Sequence, residues 1–118
     1  MPPHATARQA IGAAAEDAAL AYLSRQGLAL VERNFRCRGG EIDLVMRDTE
    51  TLVFVEVRRR ASARFGGAAA SIDAGKRARL TIAAQTYLQR YRMPPACRFD
   101  VVAIDGDAVS WIRNAIEA

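Results

Sequence analysis

Lysine is almost missing from this chain of 118 residues: Lys76 stands alone beside 16 arginines. There are two cysteines, one histidine and one tryptophan. Cys37 and Cys97 are too few and too far apart for a zinc site or a disulfide framework, so they read as two reduced, half-buried thiols. No apolar run approaches the roughly 20 residues of a membrane span. The first residues, "MPPHATARQA", lack the basic-then-apolar layout of a signal peptide, and the expected compartment is the cytoplasm. Repeats, linkers and low-complexity tracts are absent. The length suits one domain over residues 1–118, with 1–4 expected as a disordered tail.

What is abundant is arginine. The formal net charge is +4, and the excess is clustered at Arg33, Arg36 and Arg38, at Arg58, Arg59, Arg60 and Arg64, and at Lys76, Arg77 and Arg79. Arginine meets phosphate through a planar fork of donors, so such clusters suit a nucleic-acid partner. They suit equally a solvated surface in an arginine- and alanine-rich protein.

Apolar spacing predicts a helix over 5–26, with Ile11, Ala15, Ala18, Ala19, Tyr22 and Leu23 inward and Gly27 ending it. Strands follow at 28–37, 41–47 and 52–59, separated by "RGG" and "DTET". Asp73 caps a second helix running to about Tyr91, stopped by "MPPA". A fourth strand covers 97–105, and a short fifth covers 108–115. The order α-β-β-β-α-β(β) describes an α/β domain.

The second and third strands hold three carboxylates, Glu41, Asp43 and Glu56. If "DTET" is the hairpin loop, facing residues have numbers that sum to 99. Ile42, Leu44 and Met46 then meet Val57, Val55 and Val53 as one apolar face. On the other face Asp43 meets Glu56 and Glu41 meets Arg58. Like charges across a strand pair are destabilising and call for compensation. A divalent cation, a raised pKa, an exposed position or nearby arginines would each supply it. Glu16, in the small-residue segment "GAAAEDAALAYL", has two readings. It reaches the carboxylate pair from the helix, or it and Asp17 serve the helix dipole and face water.

The stretches "GAAAEDAALAYL", "ERNFRCRGGEIDLV", "TLVFVEVRRR", "RFGGAA", "DAGKRARL" and "RFDVVAI" together resemble the YraN family of small bacterial endonuclease-like proteins. That family is similar to the restriction-endonuclease-like, PD-(D/E)xK, superfamily. The resemblance implies a three-layer α/β/α fold with a mixed central sheet. It implies a metal site for Mg²⁺ or Mn²⁺ held by Asp43, Glu56 and the main-chain carbonyl of Val57. Glu16 and Glu41 are its implied auxiliary carboxylates, and Arg58 stands where the motif has lysine. Arg59, Arg60, Arg64, Lys76 and Arg77 are the expected nucleic-acid contacts. The implied activity is metal-dependent hydrolysis of DNA, with branched or structured DNA as the analogous substrate and no membrane partner. A homodimer is called for if two symmetric strands are cut. Arginine does not give up its proton, so the alternative is a nucleic-acid-binding domain on the same fold with weak or no catalysis. A third reading is an interaction domain whose arginines are only surface.

Overall fold

The computed structural model describes residues 7–60 and 73–116. The elements run α1 (Ala7–Arg25), β1 (Ala29–Cys37), β2 (Gly40–Asp48), β3 (Thr51–Arg60), α2 (Ala74–Leu88), β4 (Cys97–Asp105) and β5 (Ala108–Ile112). The five strands lie side by side in chain order. β3 and β4 pair in parallel, and the remaining neighbours are antiparallel. A parallel pair needs a long connection, and α2 lies within it.

One helix covers each face of the sheet. Ala15, Ala19 and Leu23 of α1 pack on Leu44, Met46, Val53 and Val55. Leu80, Ala83, Ala84 and Tyr87 of α2 pack on Val45, Leu52, Phe54 and Val101. The central strands are buried on both faces, which is why they read as nearly unbroken apolar runs. Tyr87 anchors the second face, edge-on to Phe35 at 5.2 Å and to Phe54 at 5.9 Å. The result is the three-layer α/β/α arrangement expected from the sequence, with a mixed sheet.

Local chemistry explains the element ends. α1 closes where Gly27, at φ 99°, adopts the left-handed conformation that side chains resist. Its N–H bonds Ser24 at 3.1 Å, and that of Leu28 bonds Leu23, also at 3.1 Å. Leu23 and Leu28 both lie buried in the same core cluster, which locks the turn. Asp73 caps α2 as expected, its Oδ1 accepting from the Lys76 N–H at 2.8 Å. α2 stops at Leu88, short of the expected Tyr91. The N–H groups of Gln89, Arg90 and Tyr91 bond back three residues, a tightening that uses up the helix end before the prolines arrive. β5 ends at Ile112, three residues early, and Ala18 of α1 is exposed rather than inward. The expected tail at 1–4 and the side chain of Ile11 lie outside what is described. Among the described residues, no helix is long and apolar enough to cross a membrane.

Candidate active site

The sheet opens into a fork at its centre. β2 and β3 are paired from Asp48 and Thr51 to Leu44 and Val55, all in the expected register, and their ladder goes no further. Beyond it each strand keeps its outer neighbour. β2 stays on β1 to Gly40, and β3 stays on β4 to Arg60. Asp43 sits in the opening, and its Oδ2 accepts the Val57 N–H at 2.8 Å. The carboxyl groups of Asp43 and Glu56 are within hydrogen-bonding reach of each other. Glu56 is only 2% exposed.

The fork coincides with a change of face. Ile42 does not continue the Leu44–Met46 face, contrary to expectation; it packs with Val45 and Tyr87 under α2. Across β1 the same inversion separates Arg33, which meets α1, from Phe35, which meets α2. Between them Asn34 adopts a left-handed conformation at φ 53°. Asparagine tolerates that region better than most residues. The pair Asn34 and Asp43 is therefore where the hairpin turns over.

Two cations attend Glu56. Lys76 Nζ lies 3.0 Å from Glu56 Oε1, and Arg58 Nη1 lies 3.8 Å from the same oxygen. Lys76 reaches it because α2 docks very closely on β2. A Cβ added to Gly40 would stand 2.2 Å from the Arg79 carbonyl oxygen and 3.0 Å from the Ala83 nitrogen. Glycine at position 40 therefore sets the helix distance, and Asp73 sets where the helix begins.

Glu16 approaches from α1. Its carboxylate takes Arg33 at 3.5 Å with Asn34 nearby, and Arg33 also holds Asp17 at 2.9 Å. Burial, then the negative charge of Asp43, raises the Glu16 pKa against Asn34 and Arg33. At Asp43 the effect is larger. Burial first, then the Glu56 charge, pushes its pKa up to about 7, opposed by the Val57 N–H and by Lys76. Three carboxylates thus feel one another, and the nearest two share a crowded, partly dry space. Among the described residues no group of three or more His, Cys, Asp or Glu side chains closes around a point as a metal cage.

The other expected site residues are dispersed. Glu41 lies opposite Arg36 on β1 and pairs with it at 3.7 Å, so the expected facing of Glu41 and Arg58 is not formed. The ladder that would align them has already ended. Arg59 is exposed on the α1 side, beside Ala14, Ala15 and Ile104, away from Lys76. Arg77 is exposed on the first turn of α2. Lys76, expected as a phosphate contact, touches Glu56. The Arg60 side chain and the whole of Arg64 lie outside what is described. Arg33, Asn34 and Gly40 went unassigned from the sequence. An asparagine breaking an alternating strand and a doubled glycine were the available signals.

A second buried aspartate offers a contrast. Asp100 is fully buried, yet its two oxygens accept Arg98 Nε at 3.0 and 3.2 Å, Trp111 Nε1 at 2.9 Å and the Asn114 N–H at 2.9 Å. Its charge is satisfied by donors from three sides, so it anchors β4 to β5 and the segment after it. Among the described residues Asp43 has one backbone donor, the Val57 N–H, and the neighbouring carboxyl of Glu56.

Fold and site together define a small α/β domain with a mixed five-stranded sheet and an acidic pair at a strand fork. The chain belongs to the uncharacterised protein family UPF0102, whose model matches residues 15–104. It is 65% identical over 113 residues to a UPF0102 protein of Herminiimonas arsenicoxydans, covering 96% of this chain and 91% of that one. A UPF0102 protein of Cupriavidus taiwanensis is 58% identical over 112 residues, covering 94% and 86%. One from Burkholderia pseudomallei is 56% identical over 118 residues, covering 99% and 82%.

Proposed function

We propose that this protein is a divalent-cation-dependent nuclease of the restriction-endonuclease-like, PD-(D/E)xK type, akin to the YraN proteins, that acts on flapped or branched DNA in the cytoplasm. The observation that carries the reading is the convergence of Asp43 and Glu56 at the fork. Two carboxyl groups pressed together in a half-dry site, one with its pKa pushed up to about 7, mark a place with surplus negative charge.

Hard oxygen donors of this kind fit Mg²⁺ or Mn²⁺, which keep several waters and need few protein ligands. Asp43, Glu56 and the Val57 carbonyl would hold the ion. When bound, it would polarise a phosphodiester and lower the pKa of a coordinated water. The chain's own residues supply the rest. Arg58 presents a permanent charge beside Glu56 and suits stabilising a phosphate whose negative charge grows during attack. Lys76 balances Glu56 from α2. Glu16, paired with Arg33, adds a third carboxylate whose pKa is raised by burial and by the charge of Asp43.

One observation favours a second reading. The position two residues after Glu56 is Arg58, which keeps its proton, so the same surface would bind nucleic acid without turnover. An assay with Mg²⁺ or Mn²⁺ on linear, flapped and four-way-junction DNAs separates the two. Wild type should cleave, Asp43→Ala should not, and Arg58→Lys should cleave faster at unchanged affinity. Cleavage no greater than that of Asp43→Ala on every substrate, with salt-dependent binding intact, selects the binding domain. Absence of both cleavage and salt-dependent binding defeats both readings.

A further inference from the structure

A groove of about 380 Å³ opens beside the fork, lined by Gly12 and Ala13 of α1, by Glu16, and by Arg33, Asn34 and Arg36 of β1. Glu16 belongs both to this groove and to the carboxylate cluster, so the two are continuous. The wall on the β1 side is cationic. Arg36 is held only loosely: its Nε is 3.7 Å from Glu41, beyond hydrogen-bonding distance, and its side chain is 75% exposed. Among the described residues the Nε of Arg33 is buried without a hydrogen-bond partner, although its terminal nitrogens hold Asp17 and Glu16. The α1 side is nearly bare. Among the described residues, a Cβ built at Gly12 meets no atom within 4 Å beyond its own stretch of helix, so the missing side chain leaves that space open.

We propose that this groove seats the sugar–phosphate backbone of one nucleic-acid strand as it passes the Asp43–Glu56 pair, with Arg36 taking a phosphate. The proposal rests on the nucleic-acid reading above and adds a path to it. The chemistry selects backbone rather than base: guanidinium groups fit phosphate, and the described residues lining the groove include no aromatic ring on which a base would stack. The size selects a single strand. The volume lies at the lower end of small-ligand sites, whereas a duplex presents a major groove alone about 12 Å wide. A flapped DNA carries such a strand next to a duplex.

Gly12→Leu provides the test, because it plugs the groove while replacing glycine within a helix by a better helix former. Binding would be read by fluorescence anisotropy in EDTA at several salt concentrations, with labelled single strands of about 12 nucleotides. Arg36→Ala is the second variant, at an exposed position that folding does not depend on. Gly12→Leu should melt no lower than wild type and bind the single strand roughly tenfold more weakly. Arg36→Ala should weaken binding and reduce the slope of log affinity against log salt by about 0.7, the share of one phosphate on a single strand. If wild type binds and both variants bind equally well, the groove is not the path, and the nucleic-acid reading stands without it. If Gly12→Leu melts lower, Arg36→Ala alone decides. If wild type binds no DNA, the broader reading fails and the groove assignment falls with it.

Discussion

Gly40→Ala isolates the contact that places α2. The added Cβ would stand 2.2 Å from the Arg79 carbonyl oxygen, 3.0 Å from the Ala83 nitrogen and 3.1 Å from the Ala83 Cβ. Ordinary contacts begin near 3.4 Å, so helix and strand must separate by about 1 Å. The obstructing atoms are mainly backbone, which cannot rotate aside. Separation would loosen Leu80, Ala83 and Ala84 on the sheet, and a gap of 0.5–1 Å forfeits about a quarter to a half of each dispersion contact. Overpacking costs about 1–3 kcal/mol, and a backbone clash belongs at or above the top of that range. The melting temperature should fall by roughly 10 °C or more. Gly39→Ala is the internal control. Gly39 has φ 87°, but its added Cβ would meet only Ile82 side-chain atoms at 3.6 and 3.8 Å, so the cost is the conformational one of about 1–2 kcal/mol. Asparagine at 39 should recover part of that loss; at 40 it should not. Urea titrations of the four variants check the ranking. A Gly40→Ala midpoint equal to wild type would refute the close approach of α2 and, with it, the account of how Lys76 reaches Glu56.

Other expectations concern charge. The folded-state pKa of Asp43 is raised from 3.8 to about 7, so its stabilising contribution is full below about pH 4 and is lost as pH rises through 7. In EDTA, stability should therefore decline over that window by up to about 4 kcal/mol from this group, at about 1.4 kcal/mol per pKa unit. Asp43→Asn should flatten that part of the profile in pH-dependent urea titrations, and Mg²⁺ should oppose the decline in wild type. Lys76→Met leaves the buried Glu56 with Arg58 at 3.8 Å as its remaining charge partner among those described here. The variant should melt lower in EDTA and gain more from Mg²⁺ than wild type does in thermal-shift measurements; equal gains would show that Lys76 and the metal do not share Glu56. Asp100→Ala strands Trp111 Nε1 and the Asn114 N–H and leaves Arg98 with Asp48 at 3.1 Å, and should cost about 3 kcal/mol by denaturant titration. It should leave any metal response per folded molecule unchanged.

The sequence carried the fold through signals with short range. Alternation of valine, leucine and phenylalanine around "DTET" defines the β2–β3 register, and Asp73 and Gly27 mark helix ends through backbone chemistry alone. The convergence of Asp43 and Glu56 was also legible, because it follows from the same register. What the pattern concealed was how they meet. Alternation assumes that a strand keeps its faces, and Asn34 breaks that rule with one left-handed residue. Ile42 consequently changes side, and the ladder ends before the acids face each other as partners. Lys76 was not placed against Glu56 for a different reason. Its partner depends on how close α2 comes to β2, a distance set by the absent side chain of Gly40 and invisible to periodicity.

The fork also bears on what this fold can tolerate by way of change. Beyond Leu44 and Val55, β2 and β3 are each secured from outside, by β1 and by β4. Between residues 41–43 and 56–58 the backbone ladder gives way to a side-chain link, from the Val57 N–H to Asp43. Partly exposed side chains there, such as those of Glu41 and Arg58, can be exchanged without unravelling the sheet, since no ladder between the two stretches is there to be lost. A lineage can exchange the residue at position 58 while inheriting the same folded body. In such an architecture the capacity to evolve chemistry is separated from the obligation to fold, and the seam between them runs between Asp43 and Glu56.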